Sequence, residues 1–297
     1  AVKPAPSVAR VSETLFDLVP KGLPLIGTWL SHEDTLKAIE DTDAMAFTGS
    51  THTGRLLAAH AGKHLKKTVL ELGGSNPFII LPDADLQRAA IDACYSRFRD
   101  AGQSCNAAKR IIVTQDIAEQ FIPLFLAECA KLQTGNPKDP NTTLAPLHRQ
   151  DLRQTVHEQV QDAVAHGAQC LSGGYIPEGE SWFYPATVLD QVNPNCRVWH
   201  EEVFGPVAMI LRADNPDHAV ALANDTPFGL GACIYTADTA NAWQYAEKIQ
   251  AGSVFINRHT SSDLRLPFGG VKASGYGREL SEFGLYEFVN VKTYWQK

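Results

Sequence analysis

Two residues in the first half of the chain have the chemistry of covalent catalysis. Glu71 interrupts the apolar run Val69-Leu-Glu-Leu72, just before Gly73 and Gly74. Cys105 ends Ala101-Gly-Gln-Ser-Cys105, beyond a helix that the pattern predicts over 85–100, with Gly102 as its C-cap. An acid inside an apolar strand must be paired or have its pKa raised. The paired reading makes Lys66 or Lys67 its partner; the other makes it a base near neutral pH. The thiol sits in a turn of small and polar residues, where a nearby helix terminus is expected to lower its pKa. A base and a sulfur nucleophile on neighbouring rigid elements suffice for acyl transfer through a covalent intermediate.

Other candidates are weaker. Glu201-Glu202-Val-Phe204-Gly-Pro206 sets paired acids before an aromatic and a turn. It reads either as a solvated turn or as an acceptor for a sugar diol with Phe204 packed on a ring. Thr48-Gly-Ser-Thr51 joins an expected strand to an expected helix and is either a plain turn or an anion site at a helix N-terminus. Gly49 and Gly54 have the spacing of a Walker loop, but Arg55-Leu56 stands where Lys and Ser or Thr are needed. There is no G-x-G-x-x-G loop and no G-x-S-x-G. His60 and His64 are four apart without the glutamate of H-E-x-x-H, so they read as a solvated helix face, and no metal is expected.

The elements that must position these groups follow from periodicity and turn signals. Helices are expected over 8–19, from Ser31, over 52–65, 85–100, from a capping box at Asp116–Glu119 to about 135, and over 151–167, 214–224 and 238–250. Strands are expected over 25–30, 44–47 (buried), 68–72, 77–81, 110–113, 186–189, 206–212, 229–235, 252–256 and 287–295. Their alternation predicts an α/β fold with a largely parallel sheet. The chain has 297 residues, 44% apolar and 20% charged, a net charge of −7 and six scattered cysteines without a C-x-x-C pair. No basic cluster suggests nucleic acid, and no apolar run reaches the roughly 20 residues of a membrane span. Cys94 and Cys129 read as small core residues, and a reducing, cytoplasmic setting is expected.

Five segments together resemble the NAD(P)-dependent aldehyde dehydrogenase family: 47–51 (Phe-Thr-Gly-Ser-Thr), 70–74 (Leu-Glu-Leu-Gly-Gly), 102–105 (Gly-Gln-Ser-Cys), 201–206 (Glu-Glu-Val-Phe-Gly-Pro) and the glycine-rich 267–279. Order and spacing match from about Lys3 to the C-terminus, most like the succinate-semialdehyde dehydrogenase branch. The resemblance implies Cys105 as nucleophile and Glu71 as general base. It places Gly49, Ser50 and Gly54 at the pyrophosphate turn, Lys3 near the adenine ribose and Glu202 on the nicotinamide ribose. Phe204 then lies beside the nicotinamide, and Leu72 gives a backbone contact to the carboxamide. It also implies a Rossmann-like cofactor domain, only partly present here (1–72), an α/β catalytic domain (73–273) and a C-terminal segment (274–297) with an oligomerisation arm. The expected assembly is a homodimer or homotetramer.

Two departures from the family pattern shape the expectations. The family's N-terminal part, with several cofactor-sheet strands and an oxyanion-holding asparagine, has no counterpart here, so a fragment or one part of a split enzyme is expected. Pro6 stands where NAD-preferring members often carry glutamate, which leaves NADP open beside NAD. Arg99, six residues before Cys105, and Ser261 stand where semialdehyde-specific members bind a carboxylate. Arg99 reads equally as a helix-end cation. The substrate implied is a small aldehyde. Two other functions fit some of the same residues: a cofactor-independent thiol esterase, and a non-catalytic oligomer component.

Overall fold

Side-chain caps at Ser31, Asp85, Asn215 and Asp238 mark where four of the helices begin. A computed structural model describes residues 1–179 and 181–297. The chain divides into two units, residues 1–46 with 55–68 and residues 47–54 with 69–297.

In the first unit, α1 (Ala9–Asp17) precedes α2 (His32–Asp41), whose first turn is closed by the Ser31 hydroxyl accepting from the Asp34 amide at 3.0 Å. The expected strand over 25–30 is absent. Only one bridge, Val2 to Gly27, forms there, because too few consecutive residues meet a partner. Strand β1 (Ala44–Thr48) exists but is half-exposed where a buried strand was expected. Val11, Leu15, Leu18 and Ile26 are all more than half exposed in this unit. Helix α3 (Thr51–Lys63) starts in the second unit, and its residues 55–63 belong to the first; β2 (Lys67–Glu71) is likewise divided.

The second unit is built on a seven-stranded sheet. Its elements are β3 (Asn76–Ile80), α4 (Leu86–Phe98), β4 (Ala108–Thr114), α5 (Gln115–Cys129), α6 (Gln150–Ala165), β5 (Gln169–Ser172) and β6 (Thr187–Asp190). Then come α7 (Arg197–His200), β7 (Val207–Ala213), α8 (Pro216–Asn224), β8 (Gly231–Tyr235), α9 (Thr239–Lys248), β9 (Ser253–Ile256), β10 (Gly275–Tyr276) and α10 (Ser281–Tyr286). The sheet runs β5-β6-β7-β4-β3-β8-β9, parallel throughout except for the β5–β6 pair. Every residue of β3, β4 and β8 is buried, as expected where helices cover both faces of a parallel sheet. The register sets Phe78 beside Ile111 and Cys233, and the Phe78 ring stacks on Tyr235 at 4.5 Å. A second, three-stranded sheet has the order β1-β2-β10.

Three expectations in this unit are corrected. Asp116 and Glu119 form no capping box: α5 starts earlier, at Gln115, its N-cap Thr114 makes no side-chain bond, and Glu119 pairs with Arg212 at 2.6 Å instead. That helix also stops at Cys129, short of Gly135. Residues 287–295 are not a strand among the described residues; the Glu287 and Phe288 amides instead donate to the Phe283 and Leu285 carbonyls, continuing the turn of α10. The short elements β5, α7 and α10 lacked a periodic signal long enough to read.

Candidate active site

Glu71 ends β2 where Gly275 of β10 pairs with it, antiparallel. At Gly275 φ is +111°, and a β-carbon would strike the Leu70 carbonyl, so only glycine lets the strands approach so closely. The Glu71 side chain is buried, and neither carboxylate oxygen has a hydrogen-bond partner among the described residues. Burial, followed by the nearby charge of Glu279, raises its pKa from an ordinary 4.5 to about 8. Arg278 opposes this weakly, since its guanidinium already donates to the Gly270 and Gly277 carbonyls. Of the two readings of this acid, the raised-pKa one describes the structure.

The nucleophile turn is built by strain and by buried cations. After α4, Asp100 and Ala101 take φ of 55° and 54°, and Gly102 follows at 72°. This reverses the chain into Cys105. Arg97, fully buried in α4, donates to the Val203 carbonyl at 3.1 Å and also to that of Gly205. Lys109, fully buried in β4, donates to the Ser104 and Cys105 carbonyls at 2.8 and 2.9 Å and pairs with Glu202 at 3.1 Å. The Gly74 amide donates to the same Glu202 oxygen at 3.0 Å. A β-carbon on Gly74 would lie 2.5 Å from the Cys105 carbonyl, so the segment leaving Glu71 rests directly on the nucleophile turn.

The Cys105 thiol is shifted upward, not downward as the helix-terminus argument expected. Burial is the main cause, and the charges of Glu202 and Glu71 add to it; Lys109 and the Asn106 amide act in the other direction. The helix argument fails because α4 presents its C-terminal end here, and the positive charge comes from a lysine. A buried thiol with a raised pKa and an unpaired acid within electrostatic reach need each other: the acid can hold the proton that the sulfur gives up.

The remaining sequence candidates divide. Ser50 caps α3, accepting from the Thr53 amide at 3.2 Å, and the Gly49 amide is bound to the Glu71 carbonyl at 3.0 Å. Gly54 is a packing residue: a β-carbon there would enter the Leu72 side chain. Leu72 is buried, and its amide is taken by the Ser274 carbonyl at 3.0 Å. Phe204 is half-buried beside Glu202. Glu201 and Glu202 separate clearly, the former pairing with Arg197 at 3.0 Å on the α7 side. Lys3 lies in the first unit, where its ammonium donates to the Pro4 carbonyl at 3.3 Å. Arg99 is neither free nor fully engaged: it reaches Asp100 at 3.4 Å and Asn106 at 3.5 Å and lies over the Tyr95 ring. Ser261 has a buried hydroxyl oxygen without a partner among the described residues, on a cleft of about 430 Å³ lined also by Trp243, Phe255 and Phe268.

Lys109, Asn106, Thr260 and Ser274 were missed by the sequence reading. The Asn106 carbonyl accepts from Asn76 at 3.0 Å and Thr260 at 2.6 Å, which ties the strand after Cys105 to the loop bearing Ser261. The Ser274 hydroxyl donates to the Gly73 carbonyl at 2.6 Å and accepts from the Gly229 amide. A signal existed for Lys109 alone, as a charge in an apolar strand like Glu71.

A profile of the aldehyde dehydrogenase family matches residues 2–294. The chain belongs to the aldehyde dehydrogenase family. It is 44% identical over 304 residues to the succinate semialdehyde dehydrogenase [NAD(P)+] Sad of Escherichia coli K12, covering 99% of this chain and 65% of that protein. Against succinate-semialdehyde dehydrogenase [NADP(+)] 1 of Mycobacterium tuberculosis H37Rv the identity is 48%, covering 85% of this chain and 55% of the relative. Among solved structures, the succinic semialdehyde dehydrogenase of Streptococcus pyogenes in complex with NADP+ superimposes with a TM-score of 0.90 at 36% identity, over 95% of this chain and 63% of that one. The chain thus spans between about half and two thirds of the length of these relatives. The α/β fold expected from the sequence is that of the family.

Glu202 gives its Oε1 to Lys109 and the Gly74 amide, and no hydrogen bond to its Oε2 is seen among the described residues, which fits an acid that accepts from the hydroxyls of a dinucleotide ribose. The 13-residue helix α3 begins at the Gly49-Ser50 turn, and a helix N-terminus suits a pyrophosphate. A β-carbon on Gly73 would fall 2.5 Å from Glu202 Oε2 and 3.1 Å from the Phe228 ring, so glycine lets this segment pass close to the acid.

Proposed function

We propose that this protein oxidises a small aldehyde to its carboxylic acid through a thioester on Cys105, with NAD or NADP as acceptor. The observation that carries this is the buried Glu71 carboxyl, without a hydrogen-bond partner among the described residues, whose pKa is raised to about 8 and whose charge is felt by the Cys105 thiol. Glu71 takes the thiol proton, directly or through water, and the sulfur attacks the aldehyde carbon. Lys109 favours the thiolate and holds the turn in place. When bound, a nicotinamide would supply the hydride acceptor that turns the Cys105 adduct into a thioester. Glu71 passes the thiol proton to solvent and then draws another from water, which attacks the thioester carbonyl; the sulfur leaves as thiolate, takes back a proton, and the acid departs.

Glu202, Gly49, Ser50 and Phe204 would hold the dinucleotide, with Leu72 contributing its backbone; Lys3 is assigned by family resemblance alone. Pro6 sets no negative charge where it would repel a 2′-phosphate, which supports acceptance of NADP beside NAD. Arg99 and Ser261 support a carboxylated aldehyde such as succinate semialdehyde, the compound for which both named relatives are called. The functional division is 1–72 for cofactor, 73–273 for catalysis and 274–297 for assembly. Val291, Tyr294 and Trp295 are more than four-fifths exposed, which supports residues 287–295 as an arm between copies in a homodimer or homotetramer. No described helix is long and apolar enough to cross a membrane. A cytoplasmic setting is part of the proposal, supported by six free thiols.

The test is aldehyde-dependent NAD(P)H formation by the chain and its Cys105→Ser and Glu71→Gln variants. The serine variant should form none. The glutamine variant should acylate Cys105 more slowly, form at most one equivalent and then stall, with the acylated Cys105 detectable by mass. Absence of both turnover and a Cys105-dependent burst in the unaltered chain would sink the reading.

A further inference from the structure

The sequence alone gave His60 and His64 no third partner, but the fold supplies one. His60 lies in the last turn of α3 and His64 just beyond its end, four residues apart and so on one face. Glu40, at the C-terminal end of α2, reaches both: its Oε1 is 3.2 Å from His60 Nε2 and 3.6 Å from His64 Nε2. All three belong to the first unit, and their ligand atoms lie within 4.8 Å of one another. The rings stand 4.9 Å apart, tilted by 41°.

We propose that Glu40, His60 and His64 bind one divalent transition-metal ion of the zinc class, which clamps the end of α2 to the end of α3. Two ligands about 2.0–2.1 Å from a tetrahedral ion stand about 3.3–3.4 Å apart. The two glutamate–histidine separations bracket that value, so small side-chain rotations complete the site. Two imidazoles and one carboxylate suit zinc, copper or nickel better than calcium or magnesium. The side chains are 20%, 29% and 42% exposed for His60, His64 and Glu40, so an ion can enter from solvent and keep a water as its fourth ligand. Without the ion, His60 Nε2 lies 3.1 Å from the Leu36 carbonyl, and the proton it donates there is the one the metal replaces. None of these residues belongs to the catalytic or cofactor assignments, so the clamp and the enzymatic reading stand or fall separately.

The test is titration of the 297-residue chain with Co²⁺ and Zn²⁺. Cobalt should give visible ligand-field bands at one equivalent, without the near-ultraviolet thiolate band that binding at a cysteine would produce. Zinc should raise the melting temperature and shield His60 and His64, but not His218, from carbethoxylation, read by peptide mass. His60→Asn and His64→Asn should each lose the bands. Loss of an outer-shell partner alone weakens metal binding roughly 10–100-fold, so Glu40→Gln should cost at least about tenfold. Unchanged binding in the double histidine variant, a thiolate band, or no zinc protection of the two histidines in the unaltered chain would overturn the proposal. The protection assay needs no variant, so a misfolded mutant does not blur the outcome.

Discussion

Lys109 and Glu202 meet at 3.1 Å, and the lysine side chain has no solvent exposure while the glutamate keeps about a fifth of its own. One ammonium therefore serves both the turn that carries the nucleophile and the acid assigned to the cofactor ribose. Burial lowers the pKa of Lys109, and Glu202 opposes that shift.

Replacing Lys109 with methionine keeps most of the volume and removes the charge. Breaking a buried pair by deleting one partner typically costs about 3–5 kcal/mol, and the partial exposure of Glu202 places this case near the lower end. Urea unfolding should show that loss. Alkylation of Cys105 near neutral pH should also slow, because the one cation that favours its thiolate is gone.

Glu71 sets a pH dependence with a definite sign. Its folded-state pKa of about 8 lies above the ordinary value of 4.5, so the folded chain keeps a proton that the unfolded chain has lost. The stability this contributes is present in full below about 4.5 and disappears as pH rises through about 8. Glu71→Gln carries no such loss. Unfolding curves at pH 6 and pH 9 should show the variant gaining on the parent at the higher pH.

The same group predicts the kinetics. Thioester hydrolysis should accelerate as Glu71 deprotonates, giving a rising limb centred near pH 8 that Glu71→Gln flattens. A limb that survives the substitution would assign the base elsewhere.

Gly74→Ala would set a methyl group 2.5 Å from the Cys105 carbonyl and 3.3 Å from Leu230. Overpacking of this kind costs about 1–3 kcal/mol. Because one obstacle is backbone, the nucleophile turn must move, so Cys105-dependent burst amplitude should fall more than stability alone explains.

Arg99→Leu tests the substrate reading. KM for succinate semialdehyde should rise far more than KM for a neutral aldehyde of similar length. Equal changes would leave Arg99 as a helix-end cation beside Asp100.

The sequence carried the fold class because β3, β4 and β8 each hold a short apolar run, and α4 and α8 between them open on side-chain caps at Asp85 and Asn215. Asp85 and Ser31 are clear caps. Glu71 was legible for the same reason that Lys109 should have been: an ionisable residue in an apolar strand is costly and needs a purpose. What local pattern could not supply was the partner from a distant segment. Glu202 meets Lys109, Ser274 meets Gly73 and Thr260 meets Asn106 across long stretches of chain, and no periodicity encodes those meetings. The direction of the Cys105 shift was misread because it depends on burial, which the turn's polar composition concealed.

The left-handed run at Asp100, Ala101 and Gly102 has one more implication. A backbone bent this way springs back unless its neighbours restrain it, and Arg97 with Lys109 provides that restraint by gripping the 203–205 segment, Glu202 and the turn together. Amide exchange at Cys105 and at Val203 should then occur in a single opening event, so that the reactive sulfur is either fully set for reaction or released along with the acid loop, with no half-assembled form between.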